Sequence, residues 1–166
     1  MLMLRVCVPL AALALCGCFN EPKPVPTAFK SEPHGHSHDR NDMMIADAGH
    51  YHAALTAHLS SKDGNELDIF FEAADDRTKP VPLPLAIFTA TAMTADGKVH
   101  QLAFEPTPLD ERKGDPEGKC SHFVARAGWM KAEDVLTVTT TVDIDGKPTA
   151  IAWKNFSPKK YAHHVD

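Results

Sequence analysis

Six imidazoles in the first half of the chain, His34, His36, His38, His50, His52 and His58, carry the most visible chemistry of this sequence. Neutral imidazole is the commonest side-chain ligand for Zn, Cu, Ni and Co. His34, His36 and His38 alternate in a stretch with no apolar periodicity, so they would wrap an ion without fixing its geometry. The alternative is a solvated polar linker with incidental metal affinity.

His50, His52 and His58 sit in a different pattern. Read with period two, Tyr51, Ala53, Leu55, Ala57 and Leu59 fall on one side, and His50, His52, Ala54, Thr56 and His58 on the other. That alternation predicts a half-buried β-strand. Residues 66–73 return after the Asp63-Gly64-Asn65 turn with Leu67, Ile69 and Phe71 on one side. Facing Leu59 with Leu67 pairs His58 with Asp68, Ala54 with Glu72 and His50 with Asp76. His50 and His52, with Cα atoms ~6.6 Å apart on one face, can converge on one ion, and Asp76 completes a two-histidine, one-carboxylate site. His58 lies roughly 20 Å further along, too far to join, and is expected to form a surface pair with Asp68. The competing reading makes these histidines the polar outer face of a sheet.

Cys120 and His122 form a third candidate. At i and i+2 of a short strand they share a face, where a thiolate and an imidazole could bind a soft metal or make a reactive pair. A lone cysteine in such a strand is also a common small core residue.

The elements that position these groups follow from composition. Residues 1–17 read as an export signal: one positive charge at Arg5, then an apolar run too short to span a membrane. The end of that run, Leu15-Cys16-Gly17-Cys18, resembles the bacterial lipobox, which implies cleavage before Cys18 and lipidation of its thiol and new amine. Of four cysteines this leaves Cys120 as the one thiol of the mature chain, so no intramolecular disulfide is expected. Residues 18–42 read as a flexible tether, with alternate prolines at Pro22, Pro24 and Pro26 favouring an extended chain. Net charge is −5, and more negative once Arg5 leaves, which argues against nucleic acid as a partner. No Gly-rich phosphate loop, nucleophile elbow or His-Glu-x-x-His run is present, and the chain is not expected to be an enzyme.

Residues 43–154 are long enough for one core. A short apolar strand opens at Met43. Three alternate prolines, Pro80, Pro82 and Pro84, mark a crossover at a sheet edge. A hairpin around Asp96-Gly97 pairs Met93 with His100, Thr91 with Leu102 and Thr89 with Phe104. Its inner face is expected to be Ile87, Thr89, Thr91, Met93, Leu102 and Phe104, the alternative being Phe88, Ala90, Ala92 and Ala103. Gly128 to Asp134 read as a helical turn or corner with Trp129 capping the core. The last hairpin turns at Asp145-Gly146 and sets Thr149, Ile151 and Trp153 opposite Val142, Thr140 and Val138. Residues 155–166 are expected to be a loose tail. Three hairpins and no amphipathic helix predict an all-β fold, an antiparallel β-sandwich of immunoglobulin-like type with seven to eight strands.

The run from Met43 to Leu55, then Leu67-Asp68-Ile69-Phe70-Phe71, Val81-Pro82, Asp96-Gly97-Lys98 and Ser121-His122-Phe123, resembles a family of small exported lipoproteins. It is similar also to the N-terminal β domain of periplasmic adaptor subunits of heavy-metal efflux pumps. Ala54 stands where a glutamate commonly follows the Tyr-His pair in that family. The resemblance implies a stand-alone β module, anchored by lipid in the bacterial envelope and facing the periplasm or exterior. Two functions follow as expectations: binding of a divalent transition metal, Zn or Cu foremost and Co or Ni besides, accessory to a metal efflux system or to homeostasis, or a structural, protein-interacting sandwich.

Overall fold

The computed structural model describes residues 39–166 except Asn41, Arg77, Thr78, Leu85, Lys113 and Asp166, and gives backbone alone for Asp39, Arg40 and His164. The expected signal, Cys18, the tether and His34, His36 and His38 lie outside the described residues. Alternating sequences become twelve strands: β1 (Asp39–Arg40), β2 (Met43–Ala48), β3 (Tyr51–Leu59), β4 (Glu66–Ala73), β5 (Leu83–Pro84), β6 (Phe88–Thr94), β7 (Val99–Pro106), β8 (Lys119–Cys120), β9 (His122–Arg126), β10 (Leu136–Ile144), β11 (Lys147–Phe156) and β12 (Ala162–Val165). No helix occurs among the described residues, and Gly128 to Asp134 form turns, not a helical turn.

Ten strands hydrogen-bond in the order β1-β2-β3-β4-β9-β7-β6-β10-β11, with β12 added to β3, while β5 and β8 form a small separate pair. All pairings are antiparallel except that of β12 with β3. The β7–β9 joint is short, Glu105 with Val124 and Pro106 with Phe123, so the sheet folds there into two facing halves. Contact of β11 with β2 brings the two ends together, and the result is a nearly closed, sandwich-like barrel.

The sequence-predicted core face of β3 and β4 is confirmed: Leu55, Ala57, Leu59, Leu67, Ile69 and Phe71 are all buried in the central cluster. The final hairpin is also as expected, with Val142 on Thr149, Thr140 on Ile151 and Val138 on Trp153. Asp145 and Gly146 take positive φ, 53° and 75°, the left-handed geometry a tight hairpin needs. Beside that turn, the Asp145 carboxylate holds the Tyr51 phenol above its ordinary pKa, because it opposes a second negative charge.

The Asp96-Gly97 hairpin differs by one residue. Ala92 faces His100 and Ala90 faces Leu102, so Phe88, Ala90, Ala92, Leu102 and Phe104 turn inward, while Ile87 and Met93 are exposed. The cause is a longer turn in which Thr94 bonds Lys98 across Asp96 and Gly97. A shift of one residue exchanges the two faces of a strand.

The C-terminal residues are not loose. A bulge between the Val138–Trp153 and Leu136–Phe156 pairs inserts an extra residue in β11, with Asn155 at φ 59°. Trp153 and Phe156, three apart, both become core residues, and the chain turns back so that Tyr161 packs on Phe156 with ring centroids 5.4 Å apart. Backbone bonding of the Ala57 N–H to the Tyr161 carbonyl (2.9 Å) then seats β12 on β3.

Asn65 closes the other end of the β3–β4 turn. Its Oδ1 accepts from the Ser60 N–H at 3.0 Å, and its Nδ2 donates to the Met130 carbonyl at 2.6 Å. Replacing Asn65 by Ala strands two backbone groups. The expected loss, read from the urea midpoint, is about 1–3 kcal/mol.

Candidate functional site

The second face of β3 is not a solvated one. His52, Ala54 and Thr56 are buried there, as are Asp68 and Glu72 on β4. Strand register sets the neighbours. Observed pairs are Tyr51 with Ala73, His52 with Glu72, Thr56 with Asp68 and His58 with Glu66, two residues away from the register expected above. The reason is the turn: the chain leaves β3 at Leu59 and re-enters β4 at Glu66, which places Leu67 opposite Ala57.

The predicted site therefore comes apart. His50 is exposed in the turn with Gly49, whose φ of +69° starts the reversal between β2 and β3, and is not a strand residue. Asp76 is exposed beyond the end of β4 and faces no residue of β3. His52, only 1% exposed, instead lies in a row across three strands, with Asp47 of β2 on one side and Glu72 of β4 on the other. Its Nε2 stands 3.8 Å from Asp47 Oδ1. Two ligands on one tetrahedral ion with bonds near 2.1 Å are separated by ~3.4 Å, so Asp47 and His52 need only a small side-chain adjustment to share an ion.

Asp68 is not the partner of His58. It accepts from His122 Nε2 at 2.8 Å, and the His122 ring stacks on Phe70 with centroids 3.9 Å apart. Cys120 and His122 do not share a face, because the chain bends at Ser121 between β8 and β9. The thiol is sunk in the core and donates to the His122 carbonyl at 2.8 Å, while the imidazole reaches Asp68 on the opposite side. A joint thiolate–imidazole site is thereby excluded in this conformation.

Three groups on this face escaped the reading of the sequence: Asp47, the Asp68–His122 pair and His163. Asp47 alternates with Ile45 in a strand too short to show its outer face. His122 pairs with a residue 54 positions away. His163 belonged to a stretch whose only signals were Phe156 and Tyr161. Among the described residues, no group of three or more His, Cys, Asp or Glu side chains is already gathered around a common metal position.

The fold and this face define an all-β, nearly closed domain that carries, on the second face of one sheet half, a row in which His52 stands between Asp47 and Glu72. Comparisons with family models, with curated proteins and with solved structures find no match for this chain.

Proposed function

We propose that the protein is a lipid-anchored envelope module that binds divalent transition metal ions, with Zn the foremost ligand. The observation that carries this reading is the Asp47–His52–Glu72 row: one imidazole between two carboxylates on three adjacent strands, with His52 and Glu72 buried and Asp47 partly exposed. An imidazole with a carboxylate at the adjacent register position on either side is the donor set that a divalent cation takes. One nitrogen and two oxygens suit Zn, Co or Ni better than the soft ion Cu(I). The lipobox-like Gly17-Cys18 and the histidines at 34, 36 and 38 supply an anchor and a collecting arm, and service to a metal efflux system belongs to the same proposal. Among the described residues no helix is long and apolar enough to cross a membrane.

Calorimetric titration of the full chain in detergent with Zn²⁺ tests this. Micromolar or tighter binding at neutral pH is expected, with His52→Ala and Glu72→Ala each removing one equivalent. Unchanged stoichiometry in both variants would reject the site.

A second reading, an interaction sandwich, draws on the exposed Met93 and Val99, which face each other across the β6–β7 hairpin. A crosslinked envelope partner that persists in chelator favours it.

A further inference from the structure

We propose that His58 and His163, completed by Glu66, form a second divalent-metal site that clamps the C-terminal strand to β3. It lies at the other end of the same face, six residues or roughly 20 Å along β3 from His52, and shares no residue with that row.

The fold makes the juxtaposition. Parallel pairing of β12 with β3, Ala162 on Ala57 and His164 on His58, carries His163 to a strand 105 positions earlier in the chain. The His58 and His163 rings meet edge to face, with centroids 5.4 Å apart and planes 70° apart. Two imidazoles on one tetrahedral ion, each nitrogen ~2.1 Å from it, place their ring centroids ~5 Å apart. The pair is thus spaced as two ligands of one ion are.

Hydrogen-bond accounting sets which nitrogen of His163 is available. Thr56 has one hydroxyl proton, and it goes to the Tyr161 carbonyl at 2.6 Å. The Thr56 Oγ1–His163 Nδ1 contact at 3.3 Å must then be an Nδ1–H donating to the hydroxyl oxygen. Nε2 is left with its lone pair. A metal-binding histidine commonly has its other nitrogen tied in this way, which fixes both tautomer and ring orientation.

Glu66 faces His58 directly on β4 and supplies the anionic third ligand. Its ion pair with Arg126 is long, 3.9 Å, and the Arg126 side chain is 87% exposed, so little opposes turning the carboxylate toward the histidines. His163 is exposed and His58 half-buried, which leaves the position open to an ion from solution. Two nitrogens and one carboxylate oxygen fit Zn²⁺ and, next, Co²⁺ or Ni²⁺.

The test is hydrogen exchange by mass spectrometry on the full chain in detergent, with Zn²⁺ alone as the probe and the peptide covering residues 157–166 as the readout. Wild type at a Zn²⁺ concentration ten times Kd is expected to exchange there about tenfold more slowly than without metal. His163→Asn keeps an N–H in place of Nδ1–H for Thr56 and deletes Nε2; it should abolish the slowing while metal-free exchange stays near wild type. His58→Gln, on β3, should abolish it too and covers the case in which the change at 163 releases β12. His52→Ala should leave it intact. Absence of slowing in wild type, slowing that survives both His163→Asn and His58→Gln, or its loss in His52→Ala overturns the proposal. Loss of the His52 equivalent in calorimetry is a separate outcome, so the two sites fail independently.

Discussion

Trp153→Ala is expected to destabilise the domain by about 3–5 kcal/mol, against a total stability of about 5–15 kcal/mol for a domain of this kind. The indole is among the largest fully buried side chains, inward on β11 opposite Val138. Its Nε1 donates at 3.0 Å to the Ala53 carbonyl of β3, a hydrogen bond that joins the last strand of the sheet path to the half containing the Asp47–His52–Glu72 row. Two losses coincide in the alanine variant: a large apolar volume and the donor that satisfies Ala53. Trp153→Phe separates them, keeping most of the buried area and removing the donor, for about 1–2 kcal/mol. Urea unfolding followed by circular dichroism measures both. Equal, small effects in the two variants would show that the indole does not close the barrel.

His122→Ala is the second large effect, about 3 kcal/mol or more, because it leaves the Asp68 carboxylate buried without its donor. Asp68 Oδ2 already has no hydrogen-bond partner among the described residues, so the bond from His122 Nε2 to Oδ1 carries the whole compensation for this group. Asp68→Leu removes the charge together with its need, and costs less. The double variant His122→Ala, Asp68→Leu is expected to be more stable than the sum of the singles by about 1–3 kcal/mol. Additivity within about 0.5 kcal/mol would mean that the two groups do not depend on each other. Both variants leave the β3 and β4 core face in place, so far-ultraviolet circular dichroism provides a control that the sheet is still formed.

The Asp47–His52–Glu72 row and the His58–His163 pair differ in how each was legible in the sequence. His52 was visible as a candidate ligand because alternation along one strand is a local pattern. Its partners were not, because they are decided by register. The turn between β3 and β4 moved every pair by two residues, exchanging Ala54 for His52 opposite Glu72 and removing Asp76 from the face. Such a slip keeps each side chain on its own face, so the core remained legible while the cross-strand chemistry did not. The β6–β7 hairpin moved by one residue, and there the inner face of β6 exchanged while Leu102 and Phe104 of β7 stayed inward as expected.

By itself the sequence determined the all-β class, the core face of β3 and β4, and the register of the β10–β11 hairpin from its turn to the Val138–Trp153 pair, since period-two alternation and a left-handed two-residue turn are encoded within a few residues. Only the tertiary structure decided what stands beside the histidines. A bulge at Asn155 and a parallel return of β12 bring His163 to His58, and a bend at Ser121 sends Cys120 into the core and His122 to Asp68. The two histidine contacts join residues 54 and 105 positions apart, and no local spacing records them: the neighbours of a side chain on a sheet come from adjacent strands, and the strand order chooses them.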